Sequence, residues 1–438
     1  MGETVRRAVA IALLVPAVAC THFSPYYRFD VARSVAVPEP AAIDHRVILI
    51  GDTGDPSPRE PVLKLLAERI RLMPERTTVV VLGDIVYERG MPEPVSAGEK
   101  PLDALADVAD IVLPDLLASR QEAERQVRTQ LEILEGQPTR VVFVAGNHDW
   151  DQFEIGGWDR ILALESFIRD EAAKRGIDAA LLPAGGCPGP VAVPVGTKAT
   201  VIVLDSQWWI ETRKDGKPVV GNNPTNCPYV TEEKVRDQIR VELEQAARSG
   251  RFAIVAAHHP LESVGPHGGF VDVRTHLFPM RIIRHFVPFY LEWIPMPILG
   301  SVVVWLRQCC SPSAQDASNK RNRHMRLMLE HTFEEADRDH AAPLLFAAGH
   351  DHDLQVFEGR NGPRYTLVSG MGSRASAVGS NGRTLFAHSN PFHPGFMEVD
   401  FLKDGRARLA VIERDKDHPH GEEVFSLDLT KAPGESGR

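Results

Sequence analysis

Short apolar runs rich in β-branched residues recur along the chain, and each breaks off in a cluster of Gly, Asp, Asn or His. They read RVILIGDTG, TTVVVLGDIVY, RVVFVAGNHDW, ATVIVLDSQWW, RFAIVAAHHP and PLLFAAGHDH. The runs are apolar without alternation, the pattern of strands buried on both faces. Between several of them lie segments with helical spacing: Glu60 to Met73, Gln121 to Glu135, Trp158 to Arg175, Thr231 to Arg248 and Lys320 to Asp337. Strands alternating with helices predict α/β layers around a sheet covered on both sides. Ligands of such sheets sit beyond the carboxyl ends of the strands, and every polar cluster falls at that end. Toward the C-terminus RYTLVSG, GFMEVDFL, RARLAVIERD and EEVFSLDL read as successive strands that extend the sheet or add a second one.

Two stretches depart from this pattern. The first residues, MGETVRRAVAIALLVPAVAC, place Arg6 and Arg7 before a short apolar run that ends in Ala17-Val18-Ala19. That is the layout of a secretory signal, and the apolar part is too short to span a bilayer. Cys20 follows immediately, so AVAC resembles a bacterial lipoprotein box, with Ala17 where the box usually has Leu. The expectation is export to the periplasm or cell envelope with a lipid anchor on Cys20. The second departure is FVPFYLEWIPMPILGSVVVWL from Phe286 to Leu306, nearly all apolar but interrupted by Glu292, Pro288, Pro295 and Pro297. A bilayer span needs roughly 20 apolar residues, and three prolines argue against one. A cap over the core and a lid that touches lipid both fit better, and Trp293 and Trp305 suit a membrane interface. The expected organisation is a signal over 1–20, a linker over 21–44, one domain over 45–430 with an apolar insertion at about 270–320, and a frayed tail over 431–438.

Composition narrows the classes. With 438 residues, 43% hydrophobic and 25% charged, the chain has ordinary globular make-up and ample length for a large core. A formal net charge of -10 argues against a surface built to neutralise nucleic-acid phosphates. An enzyme handling phosphate would need metal ions or local cations instead. In an exported chain, Cys187 and Cys227, both in turn-like Pro-rich sequence, are a plausible disulfide pair. The adjacent Cys309 and Cys310 stay open between surface thiols, a vicinal pair and partners for other cysteines.

The chemistry lies in five blocks at strand ends: GDTG with Asp52, GDIVY with Asp84 and Tyr87, GNHD with Asn147 and His148, VAAH with His258, and GHDH with His350 and His352. Taken singly each has a bland reading, since Gly-Asp and Gly-Asn are common turn pairs and loop histidines are ordinary. Five in a row, each after an apolar run, point to one site. Asp, Asn, Tyr and His supply oxygen and imidazole donors suited to Fe, Zn or Mn. Two metals about 3.5 to 4 Å apart can clamp a phosphoryl oxygen and activate water at neutral pH.

The ordered series resembles the calcineurin-like metallophosphoesterases, and within them the purple acid phosphatase branch with its D-x-G, G-D-x-x-Y, G-N-H-[DE], V-x-x-H and G-H-x-H pattern. Gly54 stands where phosphodiesterase-type members carry a histidine ligand, and Tyr87 where they usually carry another residue. The resemblance implies a four-layer α/β/β/α sandwich of two mixed sheets. It also implies an Fe(III) site held by Asp52, Asp84, Tyr87 and His352, with Asp84 bridging to Fe(II), Zn or Mn on Asn147, His258 and His350. His148 would face substrate, and His267, nine residues after His258, matches the spacing of a second substrate histidine. His259 reads as a neighbour. The implied activity is hydrolysis of phosphate esters, monoesters first. A phosphodiesterase or pyrophosphatase acting on lipid or nucleotide headgroups is the enzymatic alternative, motivated by the apolar segment. A surface scaffold that keeps the metal site only as structure is the non-enzymatic one.

Overall fold

The computed structural model describes residues 24–55, 61–94, 106–218, 226–271, 276–280 and 293–431, with the side chains of 106–116 left aside. The signal and Cys20, residues 286–292 of the apolar stretch and residues 432–438 lie outside them.

One sheet has seven strands in the order β15 (Glu422–Asp428), β14 (Ala407–Glu413), β13 (Gly395–Leu402), β2 (Ile43–Ile50), β3 (Thr77–Val81), β4 (Arg140–Phe143), β5 (Ala179–Leu181). Its β2 to β5 half is parallel and its β13 to β15 half antiparallel. The other sheet has eight strands: β1 (Tyr26–Tyr27), β12 (Thr384–His388), β10 (Leu354–Glu358), β11 (Tyr365–Ser369), β9 (Leu345–Ala348), β8 (Phe252–Ala256), β7 (Ala199–Val203), β6 (Val191–Val195). Here β7, β8, β9 and β11 run parallel and the outer strands antiparallel.

Side chains alternate across a strand, so each strand serves two cores. Val47 and Leu49 of β2 and Val80 of β3 meet Val201 and Val203 of β7, Ile254 of β8 and Leu345 of β9 in one cluster between the sheets. Ile48, Ile50, Val79 and Val81 face the other way, onto the helices Pro61–Arg71, Ala106–Glu132 and Gly157–Arg175. Across the molecule Ile202, Val255 and Phe346 turn outward to the helices Glu232–Arg248 and Lys320–Arg338. Three cores make four layers, the α/β/β/α sandwich of two mixed sheets.

The apolar runs had to be apolar throughout because both their faces are buried. The late strands split between the sheets: β11 inserts beside β9, and β13 to β15 extend the first sheet along β2. From Tyr26 on, the stretch expected as a linker packs on the domain, with β1 paired to β12 and Val31 in the inter-sheet core. Disulfides join Cys187 to Cys227 and Cys309 to Cys310. Among the described residues no helix is long and apolar enough to cross a membrane. The apolar stretch instead contributes the helix Pro297–Cys310, which buries Gly300 and Val304 and turns Ile298, Leu299, Val302, Trp305 and Leu306 to solvent.

Candidate metal centre

All nine residues singled out in the sequence converge at the carboxyl ends of β2, β3, β4, β8 and β9. Asp52, Asp84 and Asn147 follow the strands of one sheet, and His258, His350 and His352 those of the other. Asp52, Asp84 and His350 hold left-handed backbone, with φ of 60°, 54° and 73°. Strain of this kind, costly for residues other than glycine, persists where the surroundings fix it, commonly at functional sites. Gly83, at φ 90°, leaves room for the His258 ring, which a Cβ would overlap.

Two groups of donors meet at Asp84. On one side the Tyr87 hydroxyl lies 3.0 Å from Asp84 Oδ2, 3.1 Å from Asp52 Oδ1 and 3.2 Å from His352 Nε2. On the other, Asn147 Oδ1 lies 2.8 Å from His258 Nε2 and 2.9 Å from His350 Nδ1, with Asp84 Oδ1 3.4 Å from His258 Nε2. Asp84 thus gives one oxygen to each group.

Hydrogen bonding outside the cluster fixes what the rings can offer inside it. His258 Nδ1 donates to the Leu82 carbonyl at 2.8 Å, and His350 Nε2 to the Gln315 carbonyl at 3.0 Å. Carbonyls only accept, so His258 Nε2 and His350 Nδ1, 3.2 Å apart, both present lone pairs. With both rings neutral, as metal binding requires, they face each other and an amide oxygen with no proton between them. On the Tyr87 side one phenolic proton lies among two carboxylate oxygens and a ring nitrogen. Such an arrangement repels itself until a cation enters, and main-chain acceptors on the far ring nitrogens are how metal-binding histidines are oriented. The donor set therefore fits a dinuclear metal site.

Charge follows the same logic. Burial, then His267, His259 and His258, hold His350 well below the usual histidine range, so its ring is neutral, as metal binding requires. Burial opposes ionisation of Asp84, but His258, His148 and the His148 N–H outweigh it and bring the pKa down to about 2. Burial, with Asp84 and Asp52, pushes the Tyr87 phenol well up.

The rim is more open than the floor. His148 stacks edge-on to Tyr87, with its Nδ1 donating to the Glu88 carbonyl at 2.6 Å and its Nε2 4.0 Å from Asp84 Oδ2. His267 stacks 4.2 Å from His350. Its Nδ1 is 2.8 Å from Asp316 Oδ1, and Asp316 is also bound by both Nε and Nη2 of Arg307. Burial lowers the His267 pKa, but Asp316 and Asp351 together more than offset it and the net shift is upward. Asp351, between the two ligand-type histidines, accepts from the His267 N–H and the Ser263 hydroxyl, so it also anchors the loop that carries His267.

The sequence did not flag several participants. Asp316 and Gln315 precede the helix Lys320–Arg338 in a loop without motif. Arg374 lies 4.4 Å over the Tyr87 ring and pairs with Glu88 and Asp55. Asp149, inside the GNHD block, accepts from the Gly146, Ile85 and Val86 N–H groups and ties two site loops together. His259, grouped in space with His258 and His350, has both ring nitrogens occupied, by Ser206 and Gln315 at 2.8 Å each. It is a neighbour, not a donor. A Cβ on Gly54 would come within 2.7 Å of the Asp84 to Val86 backbone, so no ligand side chain fits there without moving that loop.

No curated protein matches the chain. Among solved structures it is similar to GAP50, the anchor in the inner membrane complex of Plasmodium, at 16% identity and TM-score 0.45, covering 88% of each chain. It is also similar to a dimetal phosphatase from Danio rerio, at 14% identity and TM-score 0.39, covering 88% of this chain and 99% of that one. The model of the calcineurin-like phosphoesterase family matches residues 45–286, a span that holds Asp52, Asp84, Tyr87, Asn147, His148, His258 and His267. With more than half its length so matched, the chain belongs to the calcineurin-like phosphoesterase family, metal-dependent hydrolases of phosphate esters.

Proposed function

We propose that the protein is an exported phosphomonoesterase of the acid phosphatase type. In this reading Asp52, Asp84, Tyr87 and His352 hold Fe(III), and Asp84, Asn147, His258 and His350 hold Fe(II), Zn or Mn. The observation that carries it is the Tyr87 hydroxyl, inside the donor cluster and 3.0 to 3.2 Å from three other donors. A phenolate is a hard anionic donor that suits a highly charged ion. Burial, and then the carboxylates beside Tyr87, hold its proton on, so only a strong cation among them would remove it. Metal ions bound there would supply Lewis-acid polarisation of the phosphoryl group and activation of water.

The chain's own residues do the rest. His148 Nδ1 is spent on the Glu88 carbonyl, which leaves Nε2 facing the site to meet a phosphoryl oxygen or give a proton to the leaving group. His267, held by Asp316, lines the opposite side beside His350. The Asp84→Asn variant tests the reading: turnover of an aryl phosphate monoester should fall at least about a hundredfold with the fold intact by circular dichroism. Unchanged turnover would remove Asp84 from the mechanism.

One observation favours a second reading, action at a lipid surface. On the helix Pro297–Cys310 the apolar face points outward, with Ile298 83% and Trp305 62% exposed, the layout of an interfacial helix. A lipid anchor at Cys20 would hold that face near a bilayer.

A further inference from the structure

Beside the hydrolytic site lies a cavity of about 170 Å³ that the proposed reaction does not use. It opens between the 260–268 loop, the helix Lys320–Arg338 and β11. His267 and His350 form the wall it shares with the metal centre, and Arg326, Arg360 and Arg383 line the rest.

Two of these guanidinium groups are neutralised. Arg383 pairs with Glu262 at 2.6 Å and Arg360 with Glu330 at 3.6 Å. Arg326 makes no ion pair among the described residues. Its nitrogens donate to the Asn322 side chain and to the Leu261 and Ala317 carbonyls, which uses three of its five N–H groups. Burial pulls its pKa below the ordinary arginine value; Glu330 and, less strongly, Glu262 oppose that, while Arg323 and Arg360 add to it. An anion beside it would reverse that.

The same cavity holds two orphaned polar groups. Gln315 Nε2 and Thr366 Oγ1 are buried and have no hydrogen-bond partner among the described residues, on residues only 6% and 4% exposed. The Gln315 amide oxygen is taken by His259 at 2.8 Å, so what remains is a donor. Buried polar groups without partners are uncommon, and two in one cavity mark the place of an occupant. Water would satisfy them. It would not supply the counter-charge for a guanidinium that makes no ion pair among the described residues and has two N–H groups left over, which is the chemistry that recognises oxyanions.

We infer that this cavity is a second oxyanion subsite, taking a phosphate-class group through Arg326, Gln315 and Thr366 next to the group being hydrolysed. That group is either the next phosphate of the same substrate or free phosphate. The role beside catalysis rests on the phosphoesterase reading; the binding itself does not.

The test counts inorganic phosphate bound per chain, by equilibrium dialysis of the metal-loaded protein. Wild type should bind at a second site beyond the metal centre, and Arg326→Gln and Thr366→Val should weaken that site about tenfold or more. Thr366→Val exchanges a hydroxyl for a methyl, so it carries the test even if Arg326→Gln fails to fold. Steady-state rates then separate the sources. If the subsite serves the substrate's next phosphate, Arg326→Gln raises the KM for pyrophosphate relative to that for an aryl monoester about tenfold. If it serves free phosphate, that ratio holds and the non-competitive part of phosphate inhibition disappears. A second bound phosphate in a protein that hydrolyses nothing would overturn the phosphoesterase reading and leave the subsite standing. One bound phosphate in wild type, or equal binding in wild type and both variants, would mean a water-filled cavity and overturn the inference.

Discussion

His258 and His350 show how single side chains are committed to a task by bonds on their far sides. Each gives its one proton to a main-chain carbonyl, so the other nitrogen can only offer a lone pair. Asp316 applies the same device to His267 through a carboxylate. It is a positioning residue, so Asp316→Asn should lower kcat on a soluble monoester about 10- to 100-fold with little change in KM, and Asp316→Glu should restore part of it. Equal loss in KM would place Asp316 in substrate binding instead. The metal-donor candidates were legible because each sits in a short block after an apolar run. Asp316, Gln315 and Arg374 were not, because they lie in loops with no spacing signal and reach the centre only through tertiary folding.

Among the elements, five of the six long helices in the described residues were readable from apolar spacing, since each lays one stripe on a sheet. The second begins at Ala106 and not at Gln121 as expected, and Pro297–Cys310 was not read as a helix. The short strands β5, β6, β10 and β12 were not readable, being too short to carry a pattern of their own and set by pairing with neighbours, some of them well separated in the chain, as Val356 with Phe386 shows. The short helix Gln207–Glu211 carries a buried acid. Burial raises the Glu211 pKa to about 8, with Asp205 adding to the rise and the Gln207 hydrogen bond opposing it. The folded protein thus holds this proton more tightly than the unfolded chain. Its contribution is full below about pH 4.5 and is lost as pH rises through about 8. Melting temperatures measured across that window should fall more steeply for wild type than for Glu211→Gln, and parallel curves would show that Glu211 is ionised throughout. For the helix Pro297–Cys310, a chain beginning at Thr21 should co-sediment with lipid vesicles, and Ile298→Asp with Trp305→Asp should release it without loss of turnover on a soluble substrate. Equal sedimentation of both proteins would end the lipid-surface reading.

At the scale of the molecule, the centre is a seam. One sheet delivers the carboxylates, the tyrosine and the amide; the other delivers three imidazoles. The sequence showed both sets in order but not that they come from separate sheets, because nothing in a strand's composition states which neighbour it will pair with. A ligand held by both sheets stabilises their packing by mass action, about 2.7 kcal/mol at a hundredfold excess over its dissociation constant. Chelation should therefore lower the melting temperature, and metal should restore it.

The most direct test of the account is the rate of hydrolysis of an aryl phosphate monoester beside that of the matching diester, by the purified protein supplied with iron and either manganese or zinc. The account predicts faster turnover of the monoester. Faster turnover of the diester would contradict the branch assigned from Gly54 and Tyr87, and turnover of neither would contradict the phosphoesterase activity itself.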